Sequence, residues 1–147
     1  MILLMTLTQP IHAGGEYRAT ELFSKEDVRD LVNAYYQLHD SRAKVDGYLE
    51  LLVDEDLYML MGSVVESKKE FKKWLKKMRF FSKSVTHSVE RIEIYEEADG
   101  SFFVDSMISY KGKLRFGISF DKTDNIKWKI VESSNSTKLL IKTYEVF

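Results

Sequence analysis

The chain has 147 residues, 44% of them hydrophobic, with a formal net charge of −1 and no cysteine. That length and apolar content suit one domain burying a core unaided, and the missing cysteines exclude disulfides, zinc–thiolate sites and a thiol nucleophile. Near-neutrality argues against a chain dedicated to nucleic acid, because whole-molecule attraction to phosphate is absent.

The opening run MILLMTLTQPIHAGG lacks the basic segment that begins a secretory signal. Residues 1–23 are therefore expected to form an N-terminal arm, with a cleaved signal of a secreted protein as the lesser alternative, and residues 24–147 a single cytoplasmic domain. No run approaches the roughly 18 to 20 consecutive apolar residues of a membrane span. Ser24 precedes apolar residues at Val28, Leu31, Val32, Tyr35 and His39, the stripe of one helical face behind an N-cap, so a helix is expected over 25–40 with His39 on its buried side. Asp40, Ser41 and Arg42 break the pattern, and Val45, Tyr48, Leu49 and Leu52 resume it as a short second helix. Leu57 to Met61 reads as a strand ended by Gly62-Ser63. Ser67 and Glu70 suggest a capping box in front of Phe71, Trp74, Leu75 and Met78, which predicts a third helix over 67–79.

After Lys83 the period changes to two. Val85, His87 and Val89 share a face, but Ile92 and Ile94 are out of phase with them, which predicts a bulge near Glu90-Arg91. Turns are expected at Ala98-Asp99-Gly100, at Lys111-Gly112 and at Asp124-Asn125, and Leu139 to Phe147 as a last edge strand. Helices followed by a run of antiparallel strands make an α+β plan, with the helices on one face of a curved sheet.

The segment from Tyr35 to Met61 and this order of elements resemble the nuclear transport factor 2-like superfamily, of the SnoaL-like type, over roughly residues 24–132. His39-Asp40-Ser41-Arg42 is similar to the Tyr-Asp-Ser-Lys segment of scytalone dehydratase, and Ala43 to Met61 to the β subunits of ring-hydroxylating dioxygenases. Thr86-His87-Ser88-Val89 is similar to the start of the long bent strand on which the dehydratase carries a histidine. The resemblance implies a cystatin-like cone, its concave face covered by three helices and its mouth holding a small apolar molecule. It also implies pairing into a homodimer through the outer sheet face, which here reads as polar.

Carried onto this chain, the resemblance makes His87 an acid/base oriented by Asp40. Tyr36, His39, Tyr58 and Asp105 are the further ligand-binding candidates. A carboxylate that orients a histidine fixes its tautomer and raises its basicity, as proton abstraction beside a carbonyl or loss of water requires. Alternatively Asp40 is a turn residue, His87 a hydrogen-bonded core histidine and Asp105 a solvent-facing acid. There are departures: the dehydratase's second histidine has no counterpart in Val104-Asp105-Ser106-Met107, and the base of ketosteroid isomerase is missing from Met59-Leu60-Met61. The dioxygenase β subunits are structural partners, so the rival expectation is a non-catalytic accessory domain whose cone is filled by its own side chains. No cofactor is expected. A metal is not expected either, because His12, His39 and His87 are far apart and none has the i, i+4 spacing of helical ligands.

Between Lys68 and Lys83 the sequence holds seven lysines and one arginine against the single acid Glu70. Such a basic amphipathic helix either presents a solvated face or meets an anionic partner.

Overall fold

The computed structural model describes residues 23–147; the expected N-terminal arm and His12 lie outside them, apart from Phe23. Helix α1 spans Lys25–Asp40 and begins with a reciprocal cap. The Ser24 hydroxyl accepts the Asp27 N–H at 3.3 Å, and the Asp27 carboxylate accepts the Ser24 N–H at 2.6 Å. Its inward face buries Val28, Leu31, Val32, Tyr35 and Tyr36, and Arg42, at φ 52, turns the chain away in the left-handed region. Helix α2, Val45–Leu49, is shorter than its apolar pattern. The chain leaves the helix because Leu51 and Val53 exchange backbone hydrogen bonds with Ile141 at 2.7 and 3.1 Å, and Leu52 bridges the same residue. Helix α3, Lys68–Phe81, forms only half of its expected capping box: the Ser67 hydroxyl accepts the Glu70 N–H, but the Glu70 carboxylate reaches the Glu66 N–H, one residue before the cap.

The sheet contains β1 (Tyr58–Leu60), β2 (Val64–Val65), β3 (Ser82–Glu96), β4 (Phe102–Leu114), β5 (Ser119–Glu132) and β6 (Leu139–Val146) in the spatial order β2-β1-β6-β5-β4-β3. All pairs are antiparallel except β1 with β6, which run parallel. The bulge in β3 falls between Val89 and Arg91, and it moves the inward face from Val85, His87 and Val89 to Ile92 and Ile94.

Three sequence expectations need correction. Lys111-Gly112 is not a turn: β4 continues through it to Leu114, and the reversal is made at 115–118 with Gly117 at φ 85. Asp124-Asn125 lies inside β5, so the segment 102–132, divided by the two expected turns into three strands, holds two long ones. Leu139–Val146 is not at an edge but between β1 and β5. The small edge strand β2, just after Gly62-Ser63, is not among the sequence expectations.

The α+β architecture is otherwise as expected, a curved, unclosed sheet with the helices packed on its concave face. Trp128, Tyr35, Tyr48, Phe71, Met59 and Ile108 are among the largest fully buried side chains between the two layers. Burying such aromatics contributes most of the packing energy. Trp128 also satisfies its indole N–H, which donates to the buried Ser106 hydroxyl at 3.0 Å while that hydroxyl donates to the Ile126 carbonyl at 2.9 Å.

Candidate functional site

Between the helices and the wide end of the sheet the core gives way to a cavity of about 470 Å³. Its floor is Tyr35, Tyr36, Ile126 and Tyr144, its far wall Tyr110, Phe120 and Asp124, and its helical wall Trp74, Leu75 and Met78. The volume lies within the usual range of small-molecule sites, and the lining has their usual character, apolar with a few convergent polar groups. The interior is therefore not filled by its own side chains, although Phe, Tyr and Met are abundant.

Asp40 and His87, 47 residues apart, are in contact, with His87 lining this cavity and Asp40 standing behind it. Asp40 is the last residue of α1 and His87 stands on the inward face of β3. The Asp40 carboxylate accepts from the His87 backbone N–H at 3.0 and 3.1 Å and from Nδ1 at 2.6 Å. An ionised carboxylate only accepts hydrogen bonds, so Nδ1 is the donor to Asp40, and in the neutral ring Nε2 is the nitrogen with the free lone pair. Nε2 has no protein partner among the described residues and is the nitrogen available to a molecule in the cavity. The ring is held between Tyr36 and Tyr110, at centroid distances of 4.8 and 5.7 Å. Asp40 is also bound by the backbone of β3, so its role extends beyond closing its own helix.

Of the other expected ligand residues, Tyr36 and His39 line the cavity and Tyr58 and Asp105 do not. Tyr58 neighbours the fully buried Met59, and strand alternation sends it to the other side of β1. Asp105 lies between the inward Val104 and Ser106 and so points outward, 3.7 Å from Arg91. The His39 imidazole is packed among Tyr35, Tyr48, Trp74 and His87. Burial, then the positive charge of His87 and of Arg79, lowers its pKa to about 3, so it is neutral at ordinary pH and offers one donor and one acceptor. The Tyr36 hydroxyl hydrogen-bonds that of Tyr144 at 3.1 Å; burial raises both well above the usual tyrosine value and keeps them protonated.

Two parts of the wall were missed in the sequence. Asp124, buried, accepts from the Tyr110 hydroxyl at 2.5 Å and pairs with Lys122 at 3.3 Å. Burial, then this hydrogen bond to a carboxylate, raises the Tyr110 pKa. The signal was the alternation Phe120, Lys122, Asp124, Ile126, Trp128, which keeps one face throughout. Arg79, at the rim, donates to the Ala43 carbonyl and to the Tyr48 hydroxyl, and so ties α3 to the loop after α1. Among the described residues no three His, Cys, Asp or Glu side chains are grouped to hold a metal ion.

No protein-family model matches the sequence, and a search of curated proteins finds no match. Solved structures do match. A nuclear transport factor 2-like superfamily protein from Salmonella enterica serovar Typhimurium superposes with a TM-score of 0.76 at 10% identity, over 84% of this chain and 89% of that one. A protein from Novosphingobium aromaticivorans, provisionally assigned as a scytalone dehydratase, gives 0.74 at 14% identity over 83% and 81%. A Caulobacter vibrioides protein with a cystatin-like fold gives 0.70 at 13% over 83% and 87%. The chain has the nuclear transport factor 2-like, cystatin-like fold.

Proposed function

We propose that the chain binds a small, largely apolar molecule in its cone and acts on it by cofactor-free acid–base chemistry, as a dehydratase, isomerase or cyclase does. The observation that carries this reading is the 2.6 Å contact from Asp40 to His87 Nδ1, which leaves Nε2 as a base at the cavity. Nε2 would take a proton from a carbon beside a carbonyl, or return one to a leaving hydroxyl, while Asp40 stabilises the imidazolium formed. Neutral His39 and the Tyr36–Tyr144 hydroxyl pair supply donors for a developing oxyanion. The likeness to a protein assigned as a scytalone dehydratase supports the reaction class; at 14% identity it supports no particular substrate.

The test begins with a thermal-shift screen against aromatic polyketides, steroids, terpenoids and short acyl compounds, since a ligand of the folded state raises its melting temperature. Compounds that bind are then assayed for turnover. His87→Ala is expected to retain the thermal shift and lose about 10² to 10⁴-fold in rate, and Asp40→Asn to lose rate as well. A compound turned over equally by His87→Ala would sink the acid–base assignment. Binding without turnover by any hit would reduce the function to binding.

A further inference from the structure

A second surface adjoins the mouth of the cavity and plays no part in the chemistry proposed for His87. The hairpin between β4 and β5 ends in Phe116 and Ile118, whose exposures are 83% and 62%, and the last turn of α3 exposes Phe80 and Phe81 at 56% and 47%. The two segments are joined: the Arg115 N–H donates to the Phe81 carbonyl at 2.8 Å, and the Arg115 guanidinium lies 4.6 Å from the centre of the Phe80 ring. Met78, Phe81 and Leu114 carry this apolar area into the cavity wall. A tight hairpin has no need of two large apolar side chains at its tip. A contiguous apolar patch of this kind marks a contact surface.

Its surroundings are mainly basic, with Asp121 at the base of the hairpin as the nearest acid along β5. Helical spacing puts Phe80 on the same face as Lys69, Lys73, Lys76 and Lys77, and Lys113 and Arg115 flank the hairpin. No acidic residue occurs from Phe71 to Val89 or from Ser106 to Phe120. Two such faces would repel each other, which disfavours a second copy as the occupant. A merely solvated lysine face accounts for the lysines but leaves the phenylalanines and Ile118 unexplained. Apolar tips bordered by cations fit a membrane surface, where aromatic and aliphatic side chains enter the headgroup boundary and lysines pair with anionic lipid. We infer that this face docks the protein on an anionic phospholipid surface, with the hairpin tip and the end of α3 inserted and the cavity mouth held against the bilayer.

The experiment is co-sedimentation of the full chain with vesicles of phosphatidylcholine alone, or with about 30% phosphatidylserine added to supply surface charge. Binding is expected only to the anionic vesicles and should weaken as salt is raised. Phe116→Asp with Ile118→Asp, exposed positions whose change leaves the fold intact, should lower binding by at least about tenfold, as should Lys73→Glu with Lys76→Glu. Trp emission of a Phe116→Trp variant should shift to the blue on anionic vesicles through insertion of the tip. His87→Ala should bind like the parent chain, which separates this surface from the acid–base reading. Failure of the parent chain to sediment with anionic vesicles at low salt would overturn the inference, and so would undiminished binding by the Phe116→Asp, Ile118→Asp variant. A lipid-free dimer that this variant converts to monomer would also overturn it and make the face an interface between copies.

Discussion

His39 gives the acid sensitivity of this fold a definite sign. Its pKa is about 3 in the folded chain against an ordinary value of 6.5, because the neutral ring is packed among aromatics and beside His87 and Arg79. A histidine lowered in this way takes up its proton more readily unfolded than folded. Its contribution to stability is complete above pH 6.5 and is lost as pH falls toward 3. From this group alone the chain should be about 2 kcal/mol less stable at pH 5 than at pH 7, and His39→Phe should remove most of that difference in urea unfolding followed at both values. An equal pH dependence in parent and variant would show that the ring is solvated when folded. The burial of His39 was legible in its helical stripe. The contact between Asp40 and His87 was not, because no local spacing links residues 47 apart, and only the resemblance suggested it. Asp124 was hidden by its own chemistry: an Asp-Asn dipeptide has the character of a turn, yet here it is held in register by Ile108 and Met107 across β4.

Among the elements, the helices were legible because caps and the 3.6-residue period are local, and the lengths of the strands were not. Gly112 shows why. A methyl group on it would lie 2.0 Å from the Ser84 carbonyl oxygen and 2.9 Å from the Phe120 ring. The first of these is backbone and cannot swing aside. Glycine is therefore required in mid-strand by close approach across the β3–β4 pair, whereas in sequence Lys111-Gly112 reads as a turn. The register shift between Ser82 and Ser84 lies opposite, where β3 enters the sheet from α3. Gly112→Ala should destabilise the chain by roughly 2 kcal/mol or more, the cost of forced overpacking, read as a lower midpoint in urea. It should also loosen the cavity wall at Val85 and Leu114, which β3 and β4 contribute on either side of this contact. Gly117→Ala makes the comparison. It meets no atom within 4 Å, so its cost comes only from its positive φ.

For the whole molecule, the C-terminal strand decides whether there is one fold or two fragments. An edge strand can be removed and leave its neighbours paired, but β6 joins β1 on one side and β5 on the other, and Ile141 also binds Leu51 and Val53 through its backbone. Without it β1 and β2 have no attachment to the rest of the sheet. Ile141 and Tyr144 would leave the core beneath Trp128, and Tyr36 would lose the hydroxyl partner that Tyr144 supplies to the cavity floor. Each exposed backbone group and emptied core position adds to the loss, and a domain with only about 5 to 15 kcal/mol in hand cannot carry the sum. A chain ended at Thr137 should therefore show no cooperative thermal transition and no near-ultraviolet circular dichroism, while the full chain shows both. A truncated chain that still melted cooperatively would mean that β3, β4 and β5 with the helices form a self-sufficient unit. The cavity should fail with the truncation, since its floor is built where α1, β5 and β6 converge, and Tyr144, which packs on Trp128 and holds the Tyr36 hydroxyl, would be gone from it.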